Sequence, residues 1–371
     1  MKKSLFPASL MVLGVLFVFV SFVVGVTPAQ ASVSSQSSLV EHGEYIATIA
    51  GCTDCHTNFS PEFLDPTKMT LPQIQTVALN GKDAMDNDMF LAGGRLFDLG
   101  PGGKVYTANL TSDVETGIGG WTDEQIKTAI RTGQRPSGRM LVPVMPYRAF
   151  NTMADLDLNA LVAYLRTIPP VKNKVPEPTF STEGMQPLPF TQGITTPDAS
   201  DKTARGEYLL KTITGCTDCH TPLDPATGAP MMDKYLAGGQ PYVGPWGTVY
   251  GGNITPDVET GIGSWTEQEI KVAFLTGVNN QGRRLILMPW FAYSALSNDD
   301  ADALAYYIKN KVQPIHNKIP AAALEKDFTV LAPKPDAGPN MPLIIGIAVV
   351  VLLVLIFGAL LLLTRRKKPA A

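Results

Sequence analysis

The sequence predicts an all-α fold, two tandem helical domains with a C-terminal transmembrane helix behind them. Three observations predict it. The central part of the 371-residue chain is written twice, with its motifs in one order. Each copy places capping boxes ahead of apolar-periodic runs, and nothing alternates with period two for long enough to need a sheet. Near the end, Leu343 to Leu363 form an uncharged apolar run of 21 residues.

The elements follow in chain order. Lys2 and Lys3, an apolar run from Leu10 to Val26, and Ala29-Gln30-Ala31 read as a secretion signal over 1–31, with an uncleaved anchor as the alternative. The duplication comes next. Gly43-Glu-Tyr45 recurs as Gly206-Glu-Tyr208, and Gly51-Cys-Thr-Asp-Cys-His-Thr57 recurs from Gly215 to Thr221. Leu91-Ala-Gly-Gly94 recurs as Leu236-Ala-Gly-Gly239, and Asn109 to Trp121 recurs as Asn253 to Trp265. Met145-Pro146 recurs as Met288-Pro289, and the last helix around Ala160 and Tyr164 recurs around Ala303 and Tyr307. The cysteine words lie 164 positions apart and the Leu-Ala-Gly-Gly words 145, so the first copy holds 19 extra residues between His56 and Leu91. This is a tandem duplication with one loop insertion.

Within each copy the helix starts are explicit. Thr122-Asp-Glu-Gln125 and Thr266-Glu-Gln-Glu269 are capping boxes, and Asp155 or Ser297 caps the last helix of its copy. Gly43 with Tyr164, and Gly206 with Tyr307, read as a device that lets the first and last helices approach closely. The domains are placed at 38–170 and 204–313. A proline-rich linker covers 171–203 and a stalk 314–342. The run 343–363 is long enough to cross a hydrocarbon core of ~30 Å. Arg365, Arg366, Lys367 and Lys368 in the tail 364–371 orient that tail to the cytoplasm.

Charge and cysteine content exclude other classes. A formal charge of −3 gives no electrostatic case for binding nucleic acid. Setting aside Lys2, Lys3 and the four C-terminal cations takes it from −3 to −9, an acidic exterior that favours a basic docking face on a partner. Four cysteines are too few for a disulfide scaffold.

All four sit in Cys-x-x-Cys-His words. Two thiols three residues apart on one helical turn can reach the two vinyl groups on one edge of a haem, and the adjacent histidine then lies over the iron. Cys52, Cys55 and His56, with Cys216, Cys219 and His220, therefore read as two covalent haem c sites. A zinc site wants four ligands at pairwise spacing, and a redox dithiol wants a strand before the pair. His42 and His316 have no counterpart in the other copy and read as solvent-facing. The sixth iron ligand is expected to be methionine. Met145 and Met288 alone keep register, each followed by proline and an aromatic, and a thioether raises haem potential. The alternative for each is core filling. Trp121 and Trp265 read equally as core residues or as propionate donors.

Each copy resembles a class I cytochrome c domain, through the Gly-x-Tyr helix, Cys-x-x-Cys-His, the Met-Pro loop and a terminal helix carrying Ala-Leu and Tyr. More narrowly, each resembles the domains of membrane-bound cytochrome c subunits of periplasmic alcohol and sugar-acid dehydrogenases, through Leu236 to Gly239, Asn253 to Trp265 and Met288-Pro-Trp290. The resemblance runs from about Gly43 to Lys311. Those subunits typically carry three haem domains, and this chain has two. It implies two tandem cytochrome c domains with two covalently bound haem c groups. The chain then passes single electrons on the outer side of the cytoplasmic membrane, from an extracytoplasmic donor to a respiratory or photosynthetic acceptor. It is no enzyme itself, and its partners are a dehydrogenase, a cytochrome or an oxidase. A dihaem peroxidase is the enzymatic alternative. It needs an open ligand position, which two Met-Pro loops oppose. A dedicated subunit of a dehydrogenase or oxidase complex differs from a free carrier only in partnership.

Overall fold

The computed structural model describes residues 28–324, apart from most of 64–80 and from 226–227 and 245. Helix α1 (Pro28–Ile49) runs into the first cysteine turn, α2 (Cys52–Cys55). A short hairpin follows, β1 (Leu96–Asp98) paired antiparallel with β2 (Lys104–Tyr106). Then come α3 (Asp123–Thr132), α4 (Tyr147–Phe150) and α5 (Asp155–Leu165). The second copy repeats the order as α6 (Lys202–Tyr208), α7 (Cys216–His220), the hairpin β3 (Pro241–Gly244) and β4 (Gly247–Tyr250), α8 (Glu267–Thr276), α9 (Trp290–Tyr293) and α10 (Asn298–Asn310). A last strand, β5 (Ala323–Leu324), adds to β4.

Two parts of the all-α, membrane-spanning expectation need correction. Each copy carries a β-hairpin, so the fold is not purely helical. Strands of three or four residues are too short for a period-two pattern to stand out, and glycines carry the reversals, Gly103 at φ 103° and Gly247 at φ 98°. Among the described residues, no helix is long and apolar enough to cross a membrane. The segment 343–363, the tail 364–371 and most of 1–31 lie outside the described residues.

Local chemistry explains the helices. Both capping boxes form: Thr122 and Gln125, like Thr266 and Glu269, exchange side-chain and backbone bonds, and left-handed Gly133 and Gly277 end the helices. On α3, Ile126, Ala129 and Ile130 turn one face to the core. Helix α1 packs on α5, and α6 packs on α10. Gly43 and Gly206 make both crossings possible, since a Cβ there would run into the carbonyl of Ala160 or Ala303 and the Cβ of Tyr164 or Tyr307.

One irregularity has a simple cause. Seven positions separate Tyr45 from Cys52, and eight separate Tyr208 from Cys216. The extra residue is absorbed as a π-helical turn, Leu209–Ile213, between α6 and the second cysteine turn.

The segments expected as linker and stalk begin as straps on the domains. After α5 the chain returns to the hairpin, where Thr179 N–H donates to Lys104 O at 2.9 Å. After α10 it does the same, and Ala323 pairs with Thr248. Farther on, Arg131, 1% exposed, draws the 171–203 segment onto its domain by donating to Thr191 O, and also holds Asp155 at 2.5 Å.

The two copies share one core. Ile46, Ile49 and Leu161 belong to the same apolar cluster as Leu209, Leu210 and Leu304. Helix α1 touches α9, and α4 touches the π turn, so each copy's lead-in to its cysteine turn meets the other copy's post-methionine helix. The polar part of this interface is crossed. Asp157 accepts from His42 Nε2 of its own copy at 2.7 Å and from Tyr208 of the other at 2.5 Å. Asp300 accepts bidentately from Arg205 of its own copy at 2.6 and 2.7 Å, and from Tyr45 of the other. His42 is thus a structural partner of a fully buried carboxylate rather than a solvent-facing side chain. His316 is 58% exposed.

Candidate haem-binding sites

The Cys-x-x-Cys-His turn is braced by the Leu-Ala-Gly-Gly word. Gly93 N–H donates to His56 O at 2.7 Å and Leu91 N–H to Thr57 Oγ1 at 3.1 Å. Gly238 and Leu236 do the same for His220 and Thr221, at 2.6 and 3.0 Å.

A backbone carbonyl orients each histidine. His56 Nδ1 lies 2.7 Å from Ala108 O, and His220 Nδ1 lies 2.7 Å from Gly252 O. Nδ1 must carry the proton to donate there, so Nε2 keeps its lone pair. Burial pushes both imidazole pKa values down, which favours the neutral form that binds metal.

The repeated Asn-x-Thr word holds that carbonyl in place. Asn109 is 2% exposed. Its Nδ2 donates to Val171 O at 2.8 Å, and its Oδ1 accepts from the Thr111 N–H and hydroxyl at 2.9 and 2.7 Å. Asn253 repeats the arrangement with Ile315 O and Thr255. One buried amide thus ties the histidine-orienting loop to the strap.

In the first copy, Cys52, Cys55, His56 and Met145 all line one cavity of about 530 Å³. Ile118, Trp121, Ile130, Phe150 and Leu161 give it apolar walls, and Arg135, Arg139 and Lys174 add cations. The volume lies within the roughly 300–1,000 Å³ range of cofactor pockets. Met145 O accepts from Tyr147 N–H at 2.8 Å, and Met288 O from Trp290 N–H at 2.8 Å, so the two Met-Pro turns share one geometry. Both methionines are partly buried against the core.

The donor set fits haem better than its rivals. None of the four cysteines is in a disulfide. Burial pushes Cys52 and Cys55 up to about 12 and Cys216 up to about 11. A redox-active pair needs the opposite shift. Among the described residues, no group of three or more His, Cys, Asp or Glu could hold a metal ion, which leaves zinc without a ligand set. An imidazole with a free Nε2, a thioether and two thiols on one apolar cavity suit a covalently attached haem.

Several site residues were invisible to sequence reasoning. A carbonyl acceptor such as Ala108 O leaves no side-chain signature, although the Asn-x-Thr word beside it marked its position. The strap residues Val175 to Pro178, Phe180 and Thr182 line the cavity from a stretch that composition alone marks as linker. Arg135 lies over the Trp121 ring, 5.6 Å from its centroid.

Two such attachment turns, each with an oriented histidine and a Met-Pro turn in register, define a c-type cytochrome. Comparison with known proteins narrows the class. The chain is 32% identical over 273 residues to the fructose dehydrogenase cytochrome subunit of Gluconobacter japonicus, covering 69% of this chain and 48% of that protein. It is 30% identical over 299 residues to the cytochrome c subunit of the quinone alcohol dehydrogenase of Gluconobacter oxydans, covering 74% and 55%. It is 28% identical over 231 residues to a diheme cytochrome c-type protein of Cereibacter sphaeroides, covering 58% and 66%. The chain is thus a homologue of dehydrogenase cytochrome c subunits, and it spans about half the length of the first two. No protein-family model matches it.

Proposed function

We propose that the chain is a dihaem electron-transfer protein that accepts single electrons from a dehydrogenase partner and hands them on, on the extracytoplasmic side of the membrane. The observation that carries the reading is the convergence of Cys52, Cys55, His56 and Met145 on one cavity, with the same frame rebuilt around Cys216, Cys219, His220 and Met288. When bound, each haem supplies a ferric–ferrous couple that takes up and releases one electron.

The chain's own residues do the rest. The four cysteines would fix the groups covalently, so that a carrier turned over many times would not lose them. Ala108 O and Gly252 O keep the histidines in the tautomer that presents Nε2. Met145 and Met288 would each hold the iron through a thioether, a ligand that raises the potential relative to a second histidine. The shared core and the crossed Tyr–Asp bonds hold the two sites in one body, which suits a relay. The dehydrogenase partner is inferred from the names of the relatives. The apolar run behind Lys2 and Lys3 supports the extracytoplasmic location.

A pyridine haemochrome assay on the purified chain tests the reading, with two haem c groups per chain expected. One or none refutes it. Co-purification from native membranes then identifies the donor, and recovery without any dehydrogenase would refute the partnership.

A further inference from the structure

The two attachment turns are alike in sequence and differ in what neutralises them. Both read Cys-Thr-Asp-Cys-His. In the first, Arg95 Nη1 donates to the Asp54 carboxylate at 2.8 Å and to the Asp54 carbonyl at 3.0 Å. The pair is largely buried, at 20% and 14% side-chain exposure, and the guanidinium lies 4.1 Å from the centroid of the Phe59 ring. In the second, Gln240 stands where Arg95 would be, and Tyr242 where Phe97 would be. The Tyr242 hydroxyl donates to the Asp218 carbonyl at 3.3 Å, while Gln240 is turned away to accept from Leu223 N–H. The carbonyl is capped in both turns, by a cation in one and by a neutral phenol in the other. No cation pairs with Asp218 among the described residues.

Two charge differences on the first cavity oppose one another. Arg135 on the first cavity has Asn279 at the matching position, but Met140 on the same cavity has Arg284. Glu177, which has Ala321 at the matching position, is 82% exposed and paired with Arg139. Among these differences, the one at Arg95 and Gln240 adjoins the attachment turn itself.

We propose that Arg95 makes the first site the higher-potential member of the pair, so that electrons enter at the second site and come to rest at the first. The inference rests on the dihaem reading above. A ferric centre carries one more positive charge than a ferrous one, so an uncompensated carboxylate stabilises the oxidised form and a cation beside the carboxylate cancels that effect. Asp218 therefore holds the second site oxidised, and Arg95 removes the same bias from the first. In the internal step one electron leaves the second site, which is oxidised by one unit, and the first site is reduced by one. The reduced dehydrogenase partner refills the second site. Arg95 is a positioning residue in this scheme, acting through Asp54.

The test is potentiometric titration of the full haem-loaded chain, read by absorbance. The wild type gives two one-electron waves, and the Met145→His variant assigns the first site by lowering its wave. Arg95→Gln is expected to lower that same wave and shift the electron partition between the sites roughly tenfold toward the second. Arg95→Lys is expected to retain most of the wild-type separation. Asp218→Asn is expected to raise the other wave, and this variant supplies the answer if Arg95→Gln fails to load haem. Unchanged waves in both Arg95→Gln and Asp218→Asn, or a wild-type first site that titrates below the second, overturn the proposal. A haemochrome count other than two in the wild type refutes the dihaem reading instead.

Discussion

At the scale of single residues, the candidate site is a set of donor groups whose orientation is delegated to neighbours. His56 presents Nε2 because Ala108 O takes the proton on Nδ1, and Ala108 stays in place because Asn109 is satisfied on both ends of its amide. Replacing Asn109 by alanine strands the Thr111 N–H and leaves the Val171 carbonyl with only the Thr111 hydroxyl as side-chain donor, at a cost of about 1–3 kcal/mol. Chemical denaturation of the variant checks this, and an unchanged midpoint would show that the amide braces nothing. Replacing Met145 by alanine is expected to remove one of two iron–thioether absorption features and to lower one of two potentials. Retention of both features would mean that another residue ligates.

At the scale of elements, the helix pairs depend on missing side chains. Gly206 lets α6 meet α10, and an alanine there collides with backbone as well as with Tyr307. Backbone on a packed helix cannot step aside as a flexible side chain can, so Gly206→Ala is expected to cost about 1–3 kcal/mol or more. The melting temperature reads this out directly. The π turn at Leu209–Ile213 shows the same economy, because a one-residue insertion is confined to one turn and the register of the following cysteines survives. The hairpins contribute through their edges, where the straps dock and close the first cavity.

At the scale of the molecule, the two copies behave as one unit because their contacts are exchanged. Burial pushes the Asp300 carboxyl up, but the hydrogen bonds from Arg205 and Tyr45 outweigh it and hold the group below the usual carboxylate range. A depressed carboxylate contributes stability that is complete above its unfolded pKa of about 3.9 and is lost as pH falls through its folded value. The interface is therefore expected to open in acid, which small-angle scattering across a pH series would detect. Asp300→Asn should open it at neutral pH, since removing one partner of a buried pair costs about 3–5 kcal/mol. Tyr45→Phe with Tyr208→Phe should loosen the crossing without removing a charge. Intramolecular electron exchange, measured by rapid reduction, is expected to slow in that double variant. A wild-type rate would show that the crossed tyrosines do not position the sites.

The duplication, the two attachment words, the capping boxes and the helix-crossing glycines could all be read from the chain, because each is a local pattern that repeats at fixed spacing. Other features depend on segments far apart in sequence. No pattern of residues 171–182 tells that they close a cavity, and no property of His42 tells that it will find Asp157, 115 positions away. Hairpins of three or four residues fall below the length at which alternation can be seen. The sequence by itself determined which donor groups each candidate site offers, since their spacing and type are local. Only the tertiary structure decided which carbonyl orients each histidine, how the copies lock together and which attachment turn is neutralised, because burial and long-range pairing set those terms.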